Sequence, residues 1–314
     1  MPTLKQNEAL NARAVGRLER AAARNILQTY QVALADMRKG MGILYERYST
    51  SGALTMAEMS KFNRLKSMHD NILKQMGPRF ASNGRTVERM SEAIFTETYY
   101  REGWAISQDV KADINWGLLH PEVVKAAVQN PISGLTLHGL TLEERRRTLL
   151  GINRAVTQGL VQGDSYPKMM RRVKGFLEGD AKRAMTVVRT EGQRAMVEGQ
   201  IVAGEEAERL GVETRKVWDA TLDGATRPEH GALDGQRANA DGLFSTAVGL
   251  IRGPLSSGDP SFDINCRCRV SYEVVGYEPT SRRIRDEGVV PYKTYRQWAQ
   301  DKPKILKQLN KVAV

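Results

Sequence analysis

Cys266 and Cys268 are the only cysteines in the chain, and a single residue separates them. In extended backbone, residues two apart point to the same side, so both sulfurs would face one way. A disulfide between residues this close would be strained. His230 stands in the preceding loop, within reach of such a pair. Two thiolates, one imidazole and one carboxylate make a tetrahedral zinc site. Asp223 is the first candidate for the carboxylate, with Asp219 and Asp234 as alternatives. An ion held there would clip a long loop onto a strand. Zinc motifs usually space their cysteines by two to four residues, and this pair is closer. The other reading is two buried thiols, packed as small hydrophobes beside a histidine that orders the loop. Residue types and spacing leave both open. A third chemistry uses His230 with Asp223, Asp234 and Glu191 as a metal-dependent nuclease site, and an Arg with a Glu is loosely suggestive of ADP-ribosyl transfer. Either would need a general base within hydrogen-bond reach of its target, which spacing does not establish.

Something must position these residues. The pattern predicts a mainly α N-terminal region with long helices, followed by a smaller α+β domain with a long ordered loop and few strands. From Leu10 to Tyr48 the apolar positions step by three or four, as on one face of a helix, and Gly40 and Gly42 weaken its last part. Thr55 and Glu58 form a capping box for a second helix, which Gly77-Pro78 should end. A third spans roughly Gly84 to Val110, with Phe95, Tyr99, Tyr100 and Trp104 expected in the core. Residues 113–140 read as a linker or docking segment with a short helix over Glu122–Val128. Thr141 and Glu144 form a capping box for a helix to about Gln162. A short basic helix follows over Ser165–Leu177, and Asp180 is expected to cap the next, which ends at Gly211. Val212–Ala220 and Cys266–Val275 read as strands, with Thr221–Pro260 as the loop between them. The domains expected are therefore 1–112 (helical), 113–140 (linker), 141–277 (site domain) and 278–314 (basic tail).

In Trp218-Asp219-Ala220, Asp223, Thr226-Arg227-Pro228-Glu229-His230, Leu233-Asp234-Gly235 and Asn265-Cys266-Arg267-Cys268, the chain resembles the phage Mu F-like head morphogenesis family, the minor head proteins of tailed phages. Arg189-Thr190-Glu191 also fits, since an Arg-Thr-Glu precedes the core of that family. The resemblance covers roughly Thr141 to Val275. It implies a minor capsid protein that enters the procapsid near the portal, with portal, major capsid or scaffold protein as partners. It implies a location inside the head after assembly in the host cytoplasm, and a non-enzymatic role. Some relatives carry a toxin module after this domain, but the stretch after Cys268 is too short for an ordinary catalytic domain. Trp218 is expected to anchor the core, Gly235 to take positive φ in a turn with Asp234, and Arg227 to pair with Asp223. Arg189 and Glu191 lie two apart on a helix, so they should reach different partners in the loop domain.

The formal net charge is +11, which favours polyanion partners and suits sequence-independent, salt-sensitive contact with DNA. Arg171, Arg172 and Lys174 form one candidate phosphate-contacting run, and Arg282, Arg283 and Arg285 another. Solvated helix faces or a linker would account for the same runs. A hydrophobic fraction of 41% argues against both pure disorder and a membrane protein. No secretory leader is expected, because Met1 to Leu10 is polar and no apolar run follows. The N-terminal helices could also serve as an oligomer contact.

Overall fold

A computed structural model describes residues 4–111, 114–129, 137–276, 280–284 and 287–312. Helix predominates, and the few strands are short. The residues group into two compact units, one of 1–19, 90–136 and 189–314, the other of 20–89 and 137–188. The long helices α1 (Leu4–Tyr48), α3 (Arg64–Val110) and α6 (Tyr166–Arg209) contribute residues to both.

The expected stripe on α1 is present. Ala14, Ala22, Ile26, Tyr30, Met37 and Met41 are buried, and the helix passes through Gly40 and Gly42 without ending. Thr55 caps α2 (Met56–Ser60) by accepting from the Glu58 N–H, but α2 is a single turn. A 3₁₀ turn over Lys61–Asn63, with Phe62 at φ 53°, redirects the chain into α3. Gly77-Pro78 does not end that helix. A proline inside a helix costs about 3 kcal/mol or more. Here Met76 and Phe80 are buried on either side of it, and tertiary burial overrides local propensity.

The second unit corrects two further expectations. Thr141 does not cap α5 (Leu137–Val161); it lies inside the helix and donates to the His138 carbonyl. Asp180 does not start a helix either. It sits in mid-α6, 4% exposed, where it accepts from the Tyr30 hydroxyl at 2.8 Å and from Thr148. Two donors from neighbouring helices replace the backbone N–H that a cap would have used. The basic run on α6 is partly tied down in the same unit. Arg172 donates to Asp164 at 3.0 and 3.1 Å, and Lys174 pairs with Glu178, whereas Arg171 is exposed.

The first unit holds the α+β part. β1 (Thr214–Asp219) pairs antiparallel with β4 (Arg269–Val274), Trp218 opposite Val270 and Asp219 opposite Arg269. The short helix α4 (Pro121–Val128) comes earlier in the chain; between β1 and β4 lie α7 (Pro228–Ala232), the hairpin β2 (Phe244–Thr246) and β3 (Gly249–Ile251), and α8 (Pro260–Asp263). After Gly276 come the hairpin β5 (Ser281–Ile284) and β6 (Gly288–Pro291), then α9 (Tyr295–Trp298) and α10 (Pro303–Val312). Arg282 and Arg283 fall on β5, and Arg285 lies outside the described residues. Of the aromatic cluster on α3, Phe95 and Tyr99 are buried as expected, while Tyr100 and Trp104 are about 40% exposed.

The C-terminal half of α6 packs on β4. Tyr272 donates to the Ile201 carbonyl, and its ring lies where a Cβ on Gly204 would be, only 2.0 Å from the nearest ring atom. Gly175, on the same helix, has open space at the corresponding point. Ala is ordinarily favoured over Gly in a helix by about 1 kcal/mol. Gly175→Ala should therefore raise the urea midpoint. Gly204→Ala should lower it, with overpacking costing about 1–3 kcal/mol. Equal shifts in the two variants would refute the close packing of α6 on Tyr272.

Candidate metal centre and its supporting loop

Trp218 is the hub of the loop. It is fully buried and meets Phe244, His230 and Phe262 edge to face, with centroids 5.4, 6.0 and 6.5 Å apart. Its backbone exchanges hydrogen bonds with Gln236 and Gly235. Gly235 has φ +80°, as its turn requires. Asp234 does not face the sulfurs. Its two oxygens accept from the Ala220 N–H at 2.7 Å and the Tyr295 N–H at 2.6 Å, joining β1 to α9.

The cysteines lie just before β4 rather than in it. Asn265, at φ +60°, turns the chain into them, a conformation Asn tolerates better than most residues. Its N–H donates to the Thr190 hydroxyl at 3.2 Å. Gln193 donates to the Cys268 carbonyl at 2.8 Å, and Thr221 donates to the Arg267 carbonyl at the same distance. The backbone on both sides of the sulfurs is thus held by α6 and by the segment after β1. His230 comes from α7, whose N-terminus is held by Arg227 donating to the carbonyls of Phe262 and Ile264.

These elements bring His230, Cys266 and Cys268 together. Their ligand atoms lie within 4.8 Å of one another, and the residues are 2%, 3% and 2% exposed. His230 Nδ1 is 3.4 Å from Cys266 Sγ and 3.5 Å from Cys268 Sγ. The imidazole also stacks at a tilt on Phe262, 4.1 Å between centroids. The hydrogen bond with Cys268 pulls the Cys266 thiol down to about 5, against burial and with help from His230. The same hydrogen bond, with burial and the charge on Cys266, pushes Cys268 up.

The carboxylates expected beside them are engaged elsewhere. Asp223 is gripped by both terminal nitrogens of Arg267, one at 2.7 Å, and not by Arg227 as its position suggested. Burial would raise the Asp223 carboxyl, but Arg267 outweighs it and holds the group below the usual range. Asp219 pairs with its cross-strand neighbour Arg269. Among the described residues, no carboxylate joins the histidine and the two cysteines. The upstream motif also divides differently from the expectation. Glu191 pairs with Arg194 at 2.9 Å, and Arg194 donates to the last carbonyls of α4; Arg189 is exposed, so the middle residue, Thr190, is the one that meets the loop.

The phage Mu protein F like model matches residues 151–271, which contain every member of this cluster. That stretch of the chain is similar to the family. The chain is 29% identical over 286 residues to minor head protein GP7 of Bacillus phage SPP1, covering 90% of its own length and 92% of that protein. It is 25% identical over 278 residues to NAD(+)--arginine ADP-ribosyltransferase EFV of Enterococcus faecalis, covering 88% of itself but only 56% of that protein. An uncharacterised protein of Haemophilus influenzae matches at 25% over 143 residues, 45% of this chain and 29% of the other. No solved structure matches significantly.

Arg267, Thr190, Gln193 and Tyr295 are the residues that spacing alone missed. Arg267 has the clearest role, since it projects from between the cysteines to hold Asp223 and so the first turn of the loop. Asp223→Ala and Arg267→Ala should each destabilise the fold by about 1–3 kcal/mol. In a double-mutant cycle by urea denaturation the two losses should couple by about 1–2 kcal/mol. Strict additivity would mean the pair does not hold the loop.

Proposed function

We propose that the protein is a minor capsid protein of a tailed phage, acting in head morphogenesis and retained inside the head. The observation that carries this reading is the near end-to-end likeness to the SPP1 minor head protein, with 90% of this chain and 92% of that one aligned. The protein enters the procapsid near the portal, with portal, major capsid or scaffold protein as its contacts, and the N-terminal helices are the surface available for them or for a second copy. No helix of the described residues is long and apolar enough to cross a membrane.

Contact with packaged DNA is part of the proposal. The net charge of +11 supports non-specific binding, with Arg171 on the exposed face of α6 as one point of contact. The competing reading, an enzyme built on His230 and its neighbouring carboxylates, has less support. His230 is buried, Asp223 and Asp219 are paired with arginines, and both oxygens of Asp234 are taken by backbone donors. Such groups are poorly placed to accept a proton from a substrate.

The test is the fate of the protein in particles. It should be present in purified procapsids and protected from protease until they are opened; absence from both procapsids and virions would overturn the proposal. Retention of DNA by the purified protein should fall steeply between about 50 and 200 mM salt, with no dependence on sequence. Metal-dependent DNA cleavage that disappears in His230→Ala would favour the enzyme instead.

A further inference from the structure

We propose that His230, Cys266 and Cys268 bind one zinc ion that locks the α7 segment of the loop to the chain entering β4. The proposal stands apart from the role in the head and rests on geometry.

Zinc bonds of about 2.3 Å to sulfur and about 2.05 Å to nitrogen, at tetrahedral angles, set the ligand atoms about 3.5 Å apart for each nitrogen–sulfur edge. The two nitrogen–sulfur distances here are 3.4 and 3.5 Å, both from the same imidazole nitrogen. The other imidazole nitrogen, Nε2, is buried with no hydrogen-bond partner among the described residues. The contacts of this ring with the sulfurs are made through Nδ1, the atom that would bind the metal. Thiolate and imidazole donors together select zinc over harder divalent ions.

The surroundings are built to hold the ligands still. Gln193 and Thr221 fix the carbonyls of Cys268 and Arg267, and Arg227 and Phe262 hold α7 and the ring of His230. Among the described residues no carboxylate joins the three, so the protein supplies three ligands. Asp223, the ligand that spacing favoured, instead serves through Arg267 to place the residue between the two cysteines.

The experiment uses the full chain, purified under reducing conditions from zinc-supplemented cells. Elemental analysis should find close to one zinc per chain, retained through gel filtration. After removal of zinc by chelation, titration with cobalt(II) chloride should produce the near-ultraviolet sulfur-to-cobalt charge-transfer band and the strong visible bands of a tetrahedral site. Both signals should be lost in Cys266→Ser and in Cys268→Ser. His230→Asn should weaken cobalt binding at least tenfold. If the cysteine variants fail to fold, the wild-type titration decides. A metal-free wild-type protein that gives no cobalt band, or a Cys266–Cys268 disulfide in its place, would overturn the proposal. So would cobalt bands that persist in all three variants.

Discussion

The antiparallel pairing of β1 with β4 is the constraint on which the site depends. It closes a loop whose ends are Asp219 and Arg269, opposite one another in the ladder and joined by an ion pair. Closing a loop of that length costs chain entropy, though the cost grows slowly with length. What the closure secures is register. A slip of one residue would turn Trp218 out of the core and swing the chain carrying Cys268 to the other face. Trp218 is fully buried and β4 alternates strictly between buried and partly exposed positions, so the hydrophobic pattern permits one register only.

With the base fixed, the loop still contains little regular structure, and its backbone polar groups need partners. Side chains supply many of them. Asp234 takes two N–H groups, Arg227 two carbonyls, Thr221 and Gln193 one carbonyl each, and Asp263 accepts from Ser257 and Gly258. The segment after Gly276 takes part in this. Tyr295 gives its N–H to Asp234 and its hydroxyl to the Asp223 carbonyl, and its ring is buried with Leu222, Trp298 and Leu309. The polar residues that look like candidate catalysts in sequence are therefore mostly the means by which an irregular loop is made to fold one way.

That explains which parts of the molecule were legible beforehand. The long helices were, because a stripe at steps of three and four survives any tertiary detail. So were Gly211 and Gly235, whose positive φ is a local requirement. Pro78 and Asp180 misled, because both are local signals overruled by contacts from other helices: burial of Met76 and Phe80 in one case, and Tyr30 with Thr148 in the other. At the site, the cysteine pair and His230 could be grouped from chemistry alone. That none of the three aspartates joins them could not be foreseen, since it depends on Arg267 and Arg269 projecting toward two of them and on two backbone donors taking the third. Thr190, Gln193 and Tyr295 are ordinary residues in local context, and only the fold brings them to the loop.

The same pairings bear on the charge of the molecule. Arg194, Arg252, Arg267 and Arg269 are each bound to carboxylates within the unit that holds the loop. Each such pair removes one positive and one negative charge, so the excess of +11 is undiminished and must be carried by basic residues outside these pairs. The arginines nearest the histidine and the two cysteines are then the least suited to meet phosphate. Moving one to DNA would strand its carboxylate in a partly buried setting, a loss that screened surface contacts do not recover. The net positive charge and the integrity of the loop are therefore borne by separate sets of side chains. Surface charge can change without disturbing the fold that Trp218, His230 and the two cysteines define.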